Sequence, residues 1–323
     1  MEALFENRIA LGLIAIIGVP LIICGYILLV EKIIGRLRPL TGSRLRPWLW
    51  ILPALAFVAT FLVYPAIATV IRSLFNRSGR EFIGFENYLW FLGTPDNLIA
   101  VRNNIIWAVL LPLLVVGIGL LVAVFADKVR YEVVVRSVIF LPMAISAVAA
   151  GVIWRLMYDI DPDVGTLNAV VTATGADPYA FLSTQPWNNV FLIIVGMWMM
   201  TGLAVVIIAS GLKGIPVELM EAARLDGANE LKVFRHVVYP LLRPTVAVVA
   251  TTVLIFALKT FDVVYVMTNG NFGTEVIANQ MYKELYAYGQ QGRAATVATI
   301  LFLVTIPIMF LNVRRFRQQE EER

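Results

Sequence analysis

The chain has 323 residues, 59% of them hydrophobic and 15% charged, with a mean hydropathy of +0.80. Soluble domains average about 45–50% apolar and about 25% charged residues, so this composition excludes one water-soluble core and makes the bilayer the solvent. The net charge of +4, the single Cys24 and the single His236 exclude an internal disulfide and argue against a His/Cys zinc site.

In chain order, seven apolar runs reach the roughly 20 residues that a membrane-spanning helix needs. The first covers 9–30. It is longer than the apolar part of a signal peptide, and no small-residue cleavage site is evident, so a span is expected. A basic segment follows, with Lys32, Arg36, Arg38, Arg44 and Arg46. The second run covers 48–71, and a longer loop at 72–103 mixes four arginines with Glu81, Glu86 and Asp96. The third, at 104–126, is followed by Lys128, Arg130 and Arg136; the fourth is 134–157. The fifth, 190–210, leads into a segment with Lys213, Arg224, Lys232, Arg235 and Arg243. The sixth is 245–267 and the seventh 294–313, before a charged tail at 314–323. Basic residues mark cytoplasmic loops. Alternating spans then put the N-terminus outside and the C-terminus inside. This placement also removes nucleic acid as a reason for the basic pI. Pro20, Pro53, Pro65, Pro112 and Pro307 fall inside runs and predict kinks.

The longest cytoplasmic loop, within 211–243, has its own local logic. Pro216 suits a helix start, and Glu218 and Glu221 favour the positive N-terminal end. Gly227 supplies a left-handed closure, and Asn229 is a good N-cap. Pro240 is expected to end the second helix. Two short helices with a sharp bend are predicted, and Ala222 and Ala223 leave a slim surface for another protein.

This loop resembles the EAA loop of ABC importer permeases: Glu-Ala-Ala, three residues, Gly, nine residues, an aliphatic, one residue, Leu, Pro. Here it runs Glu221-Ala222-Ala223, Gly227, Val237, Tyr239, Pro240, with Tyr239 in the place of Leu. Gly84-Phe85-Glu86-Asn87-Tyr88, the stretches beginning at Leu141, Gly151-Val152-Ile153-Trp154 and Gly165-Thr166-Leu167-Asn168, and the run 261–277 are similar to the carbohydrate, maltose permease-like members. The run 261–277 is most like the α-glucoside subgroup. The resemblance covers roughly 50–313. It implies an all-α polytopic fold with about seven transmembrane helices and cytoplasmic EAA coupling helices. An N-terminal span and basic linker at 1–46 would precede a permease core at 47–313, and the tail 314–323 would close it.

The resemblance further implies a pseudo-symmetric pair with a second homologous permease, a dimer of ATPase subunits that bind ATP and Mg²⁺, and an extracytoplasmic solute-binding protein that delivers sugar. It places the chain in a bacterial or archaeal inner membrane. Glu221, Ala222, Ala223, Asp226, Gly227 and Pro240 would couple to the ATPase. Sugar would meet the span after the loop, at Val253, Phe256, Ala257 and Thr260, with Met200, Trp154 and Tyr158 as further contacts. No cofactor is expected on the chain itself. No Gly-x-x-x-x-Gly-Lys-Ser/Thr phosphate loop occurs, nor a nucleophile triad or carboxylate pair in a catalytic setting, so no enzyme is expected. Lys259 and Asp262 stand three apart in the sixth run, and either pairing on one helix face or contact with partner or solute fits them. Two rivals stay open: a permease for a solute such as a polyamine, which would want an acidic path, and a secondary transporter, which would want acidic relays.

Overall fold

A computed structural model describes residues 8–36, 39–127 and 129–321. Arg38 and Lys128 of the basic segments, and Glu322 and Arg323 of the tail, lie outside the described residues. Regular structure among the described residues is helical, with one isolated bridge between Phe75 and Phe82.

The chain divides into two units, Met1–Ala68 and Thr69–Arg323. In the first, α1 (Arg8–Arg36) and α2 (Pro39–Val58) are followed by a π turn (Ala59–Val63) and the start of α3 (Tyr64–Arg72). Tyr26 donates to the Leu49 carbonyl, and Arg46 pairs with Glu31 at 2.9 Å. Ile22, Leu28, Phe61 and Leu62 stay exposed, as expected where hydrocarbon is the solvent. The π turn precedes Tyr64-Pro65, and Tyr64 N–H reaches back to the Ala59 carbonyl. A proline ring clashes with the carbonyl four residues back, and the extra residue of a π turn relieves this.

The second unit continues with α4 (Glu86–Gly93), α5 (Pro95–Ala126), α6 (Glu132–Phe140), a 3₁₀ turn (Leu141–Ala144), α7 (Ala147–Met157) and α8 (Thr166–Ala173). Then come α9 (Trp187–Lys213), α10 (Val217–Leu225), α11 (Glu230–Val233), a π turn (Phe234–Val238) and α12 (Tyr239–Leu258). The last are α13 (Asp262–Met267), α14 (Ile277–Tyr282), a π turn (Lys283–Ala287) and α15 (Gln291–Glu321).

The core is the mutual packing of α5, α9 and α12. On α5, Trp107, Leu111 and Val115 recur every four residues and are fully buried; on α12, Val249, Val253 and Ala257 do the same. Small residues let the backbones close up. A Cβ on Gly119 would lie 2.6 Å from that of Ala204, and one on Gly202 would lie 2.6 Å from the Ile139 carbonyl oxygen. Within a bilayer such fit, rather than escape from water, holds helices together.

Among the described residues, five helical stretches are long and apolar enough to cross a membrane: Ile16–Arg36, Arg44–Arg72, Pro95–Ala126, Trp187–Lys213 and Glu230–Leu258. A bent pair, Glu132–Ala144 with Ala147–Met157, and the shorter apolar stretch Gln291–Pro307 fall where the other two spans were expected. Two expectations need correction. The run 134–157 is not one helix: it bends by 100°, because Pro142 sits in the 3₁₀ turn, Ile145 is extended and the Ser146 hydroxyl caps α7 by accepting from Ala149 N–H. The run 245–267 is not continuous either. It stops at Leu258, and α13 starts afresh after Lys259, Thr260 and Phe261. Hydropathy averages across both breaks. α15 runs on through the charged stretch to Glu321.

Candidate functional site

The cytoplasmic loop predicted from the sequence folds around one glycine. Gly227 has φ +83°. Its N–H reaches the Arg224 carbonyl at 3.0 Å, and Ala228 N–H reaches the Ala223 carbonyl at 3.0 Å, which is the Schellman closure of a helix. The Asn229 side chain then caps α11 by accepting from Lys232 N–H at 2.9 Å. Arg224 spans the bend to Glu230, with Nε at 2.8 Å from its carboxylate. One face of α10 seats Met220 and Ala223 on the core, beside Ala228, Phe234 and buried Ile215 and Val233. The opposite face shows Glu218, Glu221, Ala222 and Leu225 at i, i+3, i+4 and i+7, all exposed, with Leu225 at 89%. Asp226 is the exposed C-cap. The product is a rigid, slim, acidic and apolar ridge that can dock into a cleft.

Two local expectations shift. Pro216 is the N-cap, one residue ahead of the first helical position. Pro240 does not end the second helix. The π turn carries Tyr239 N–H back to Phe234, and Pro240 then falls in the first turn of α12, where its missing N–H costs nothing. The device is the one seen before Pro65. His236 Nδ1 lies 3.1 Å from the Lys232 carbonyl.

The residues expected to meet solute divide in two groups. Val253 and Ala257 are fully buried in the core, Phe256 packs half-buried on it, and Thr260 is buried in the break after α12. Trp154 and Tyr158 join an aromatic knot with Phe181, Phe191 and Trp198; the Tyr158 hydroxyl donates to the Phe191 carbonyl at 3.2 Å. Met200 packs half-buried on the same core. The helix-face pairing of Lys259 with Asp262 does not form, because the chain breaks between them.

What sequence reasoning missed lies at the other end of the bundle. Asn104 donates to the Leu258 carbonyl at 3.1 Å and accepts from Ile277 N–H at 2.8 Å, so one side chain ties the end of α12 to the start of α14. Asn103 donates at 2.8 Å to the carbonyls of Gly273 and Glu275, and Asn188 at 2.8 Å to that of Phe272. The signal was visible as two Asn-Asn doublets, Asn103-Asn104 and Asn188-Asn189, at the mouths of apolar runs, where polar groups are expensive. Two motifs that carried the resemblance prove to be folding devices. Asn87 donates to the Ser73 and Phe75 carbonyls at 2.9 and 2.8 Å, and Tyr88 meets Ser73 Oγ at 2.7 Å. Asn168 pins the loop at 159–179 through the Asp159 and Tyr179 backbones.

The family model described as "Binding-protein-dependent transport system inner membrane component" matches residues 102–317. An osmoprotective compounds uptake permease, GgtC of Synechocystis sp., is 45% identical over 85% of this chain and 100% of its own length. An alpha-glucoside transport system permease, AglF of Rhizobium meliloti, is 39% identical over 84% of this chain and 83% of its own. Among solved structures, a chain of a bacterial ABC transporter involved in the import of the acidic polysaccharide alginate superposes with a TM-score of 0.75. It is 21% identical and covers 87% of this chain and 99% of that one. The chain belongs to the family of binding-protein-dependent transport system inner membrane components: it is a multi-pass inner-membrane permease subunit with the ABC importer fold, a transport component and not an enzyme.

Proposed function

We propose that this permease serves an ATP-driven importer for α-glucosides or similar oligosaccharides. The observation that carries the reading is the coupling loop, whose Schellman bend at Gly227 holds Glu221, Ala222 and Leu225 outward on a helix braced from behind. Glu221, Ala222, Ala223, Asp226, Gly227 and Pro240 form or shape the surface that docks on a separate ATPase dimer, which binds ATP and Mg²⁺. A second homologous permease and an extracytoplasmic solute-binding protein complete the assembly. The neighbouring alginate importer has been described with a pentasaccharide-bound periplasmic protein, which supports such a partner. The Lys and Arg distribution supports an outside N-terminus and a cytoplasmic C-terminus.

The sugar class is supported by the alpha-glucoside relative and by the run 261–277. Acidic groups are scarce along the spans, which disfavours a polyamine or a proton relay. Solute would meet Val253, Phe256, Ala257 and Thr260, with Met200, Trp154 and Tyr158 beyond. Since Val253 and Ala257 are packed against α5 and α9, α12 must shift to admit it. A second reading, an osmoprotective solute, is favoured by the 45% identity to GgtC.

The test is a reconstituted complex with its ATPase and solute-binding protein, in which each candidate solute is scored by stimulated ATP hydrolysis and uptake. Maltose, trehalose or sucrose should stimulate both. Stimulation by non-sugar osmoprotectants alone would favour the second reading. Uptake driven by an ion gradient without the ATPase would overturn the importer. Phe256→Ala should lower uptake and leave ATPase retention intact.

A further inference from the structure

At the end of the bundle opposite the coupling loop, a cavity of about 710 Å³ opens between the start of α5, the turn at 270–273 and the segment 280–293. Sites for small molecules commonly measure about 300–1,000 Å³. Its wall is prebuilt. Asn103 and Asn188 fix the turn, and Gly270 lies so close to Glu275 that a Cβ would sit 2.4 Å from the carboxylate. Charges of both signs face the cavity. Lys283 is 2.6 Å from Glu275, and the Arg293 guanidinium covers the Trp90 ring at 4.5 Å. Asp96 and Arg102 add one charge of each sign. Such a lining disfavours an ion. Gln185 and Gln280 add amides that both donate and accept, the match for hydroxyl groups.

One group is unfinished. Glu284 is 3% exposed; its Oε1 accepts from Gln280 Nε2 at 3.1 Å, and its Oε2 is buried with no partner among the described residues. Leaving such an atom unpaired is unfavourable, and a hydroxyl entering the cavity would satisfy it. Burial pushes this carboxyl up, against the pull of Arg293.

We propose that this cavity is a second carbohydrate site, at the end of the bundle opposite the coupling loop, which takes an uncharged polyhydroxylated solute before it reaches α12. The inference rests on the carbohydrate reading above. The experiment uses the whole transporter in nanodiscs without the solute-binding protein, with maltose, trehalose and sucrose as probes followed by saturation-transfer NMR. Wild type should bind one of them. Glu284→Ala and Gln280→Ala should each weaken that binding about tenfold and raise KM for uptake, while Glu284→Gln, which keeps an acceptor, should bind closer to wild type. Gln280→Ala carries the test alone if Glu284→Ala lowers the melting temperature.

Unchanged binding and uptake in both alanine variants, with sugar import intact, would overturn the second site and leave the importer standing. A loss confined to retention of the solute-binding protein would make the cavity a protein socket and also overturn it. A wild type that imports none of the three sugars would remove the carbohydrate reading itself.

Discussion

Gly227 sits at φ +83°, and nothing lies within 4 Å of where its Cβ would be. The demand there is conformational and not steric. A left-handed L-residue costs roughly 1–2 kcal/mol, and Asn tolerates it better than Ala or a β-branched residue. Stimulated ATP hydrolysis should therefore fall in the order Gly227→Asn, Gly227→Ala, Gly227→Val, with the protein still in the membrane. Equal stimulation in all three would detach the bend from coupling. Gly202 makes the opposite demand. Its Cβ would stand 2.6 Å from the Ile139 carbonyl oxygen and 2.7 Å from Phe140 Cα, so Gly202→Ala must push α9 off α6. We expect a lowered melting temperature in detergent for Gly202→Ala and little change for Gly227→Ala; similar melting for the two would refute the distinction. Gly227 was legible because a local rule, helix stop then Asn cap, predicts it. Gly202 was not, because its neighbour is distant in sequence.

Helices and their interruptions obey a different legibility. The long apolar runs were plain, and so was the two-helix bend. The breaks at Leu141–Ala144 and after Leu258 were not, since a window of 20 residues sums over them. Pro142 and Ser146 did carry a local signal for the first. The second depends on Asn104, which stands 154 residues from the Leu258 it satisfies. In apolar surroundings an interrupted helix survives only if its freed groups find partners. Asn104→Ala would strand the Leu258 carbonyl and the Ile277 N–H, at about 1–3 kcal/mol each. A fall in melting temperature and in uptake is expected, while the ATPase, docked at the other end, stays bound. Unaltered melting would mean that water replaces the side chain. Positions on α12 were legible as one face, but the sequence could not say that Val253 and Ala257 would be packed shut.

For the whole molecule, orientation is the first question, and it has a direct test. Single cysteines at exposed Ser78 and Ser183, in a Cys24-free background, should react with an impermeant thiol reagent from outside, and one at Gln318 should not; the reverse pattern would invert the topology. The second question is how movement at α10 reaches the far end. α9 ends at Lys213, just before α10 begins. Lys213 Nζ lies 2.7 Å from Glu132 Oε1, which Arg136 Nη1 also meets at 2.5 Å. The root of the coupling loop is thus tied to α6, the first arm of the bent span. The second arm, α7, packs against α13, the helix that follows the break after Leu258. A push on α10 can travel through Lys213 and Glu132 to α6, around the 100° bend and on to α13. Proximity alone does not establish such a route; energetic coupling does. Glu132→Gln and Lys213→Met should each cut stimulated ATP hydrolysis several-fold, with basal hydrolysis and ATPase retention unchanged. Because Glu132→Gln already removes the link to Lys213, the double variant should be no worse than Glu132→Gln alone. Arg224→Ala breaks an exposed pair, typically worth about 0.2–1 kcal/mol, and should do far less. Additive losses, or losses of basal and stimulated hydrolysis alike, would reduce the tie to a structural brace and leave the far end driven through the α5, α9 and α12 core instead.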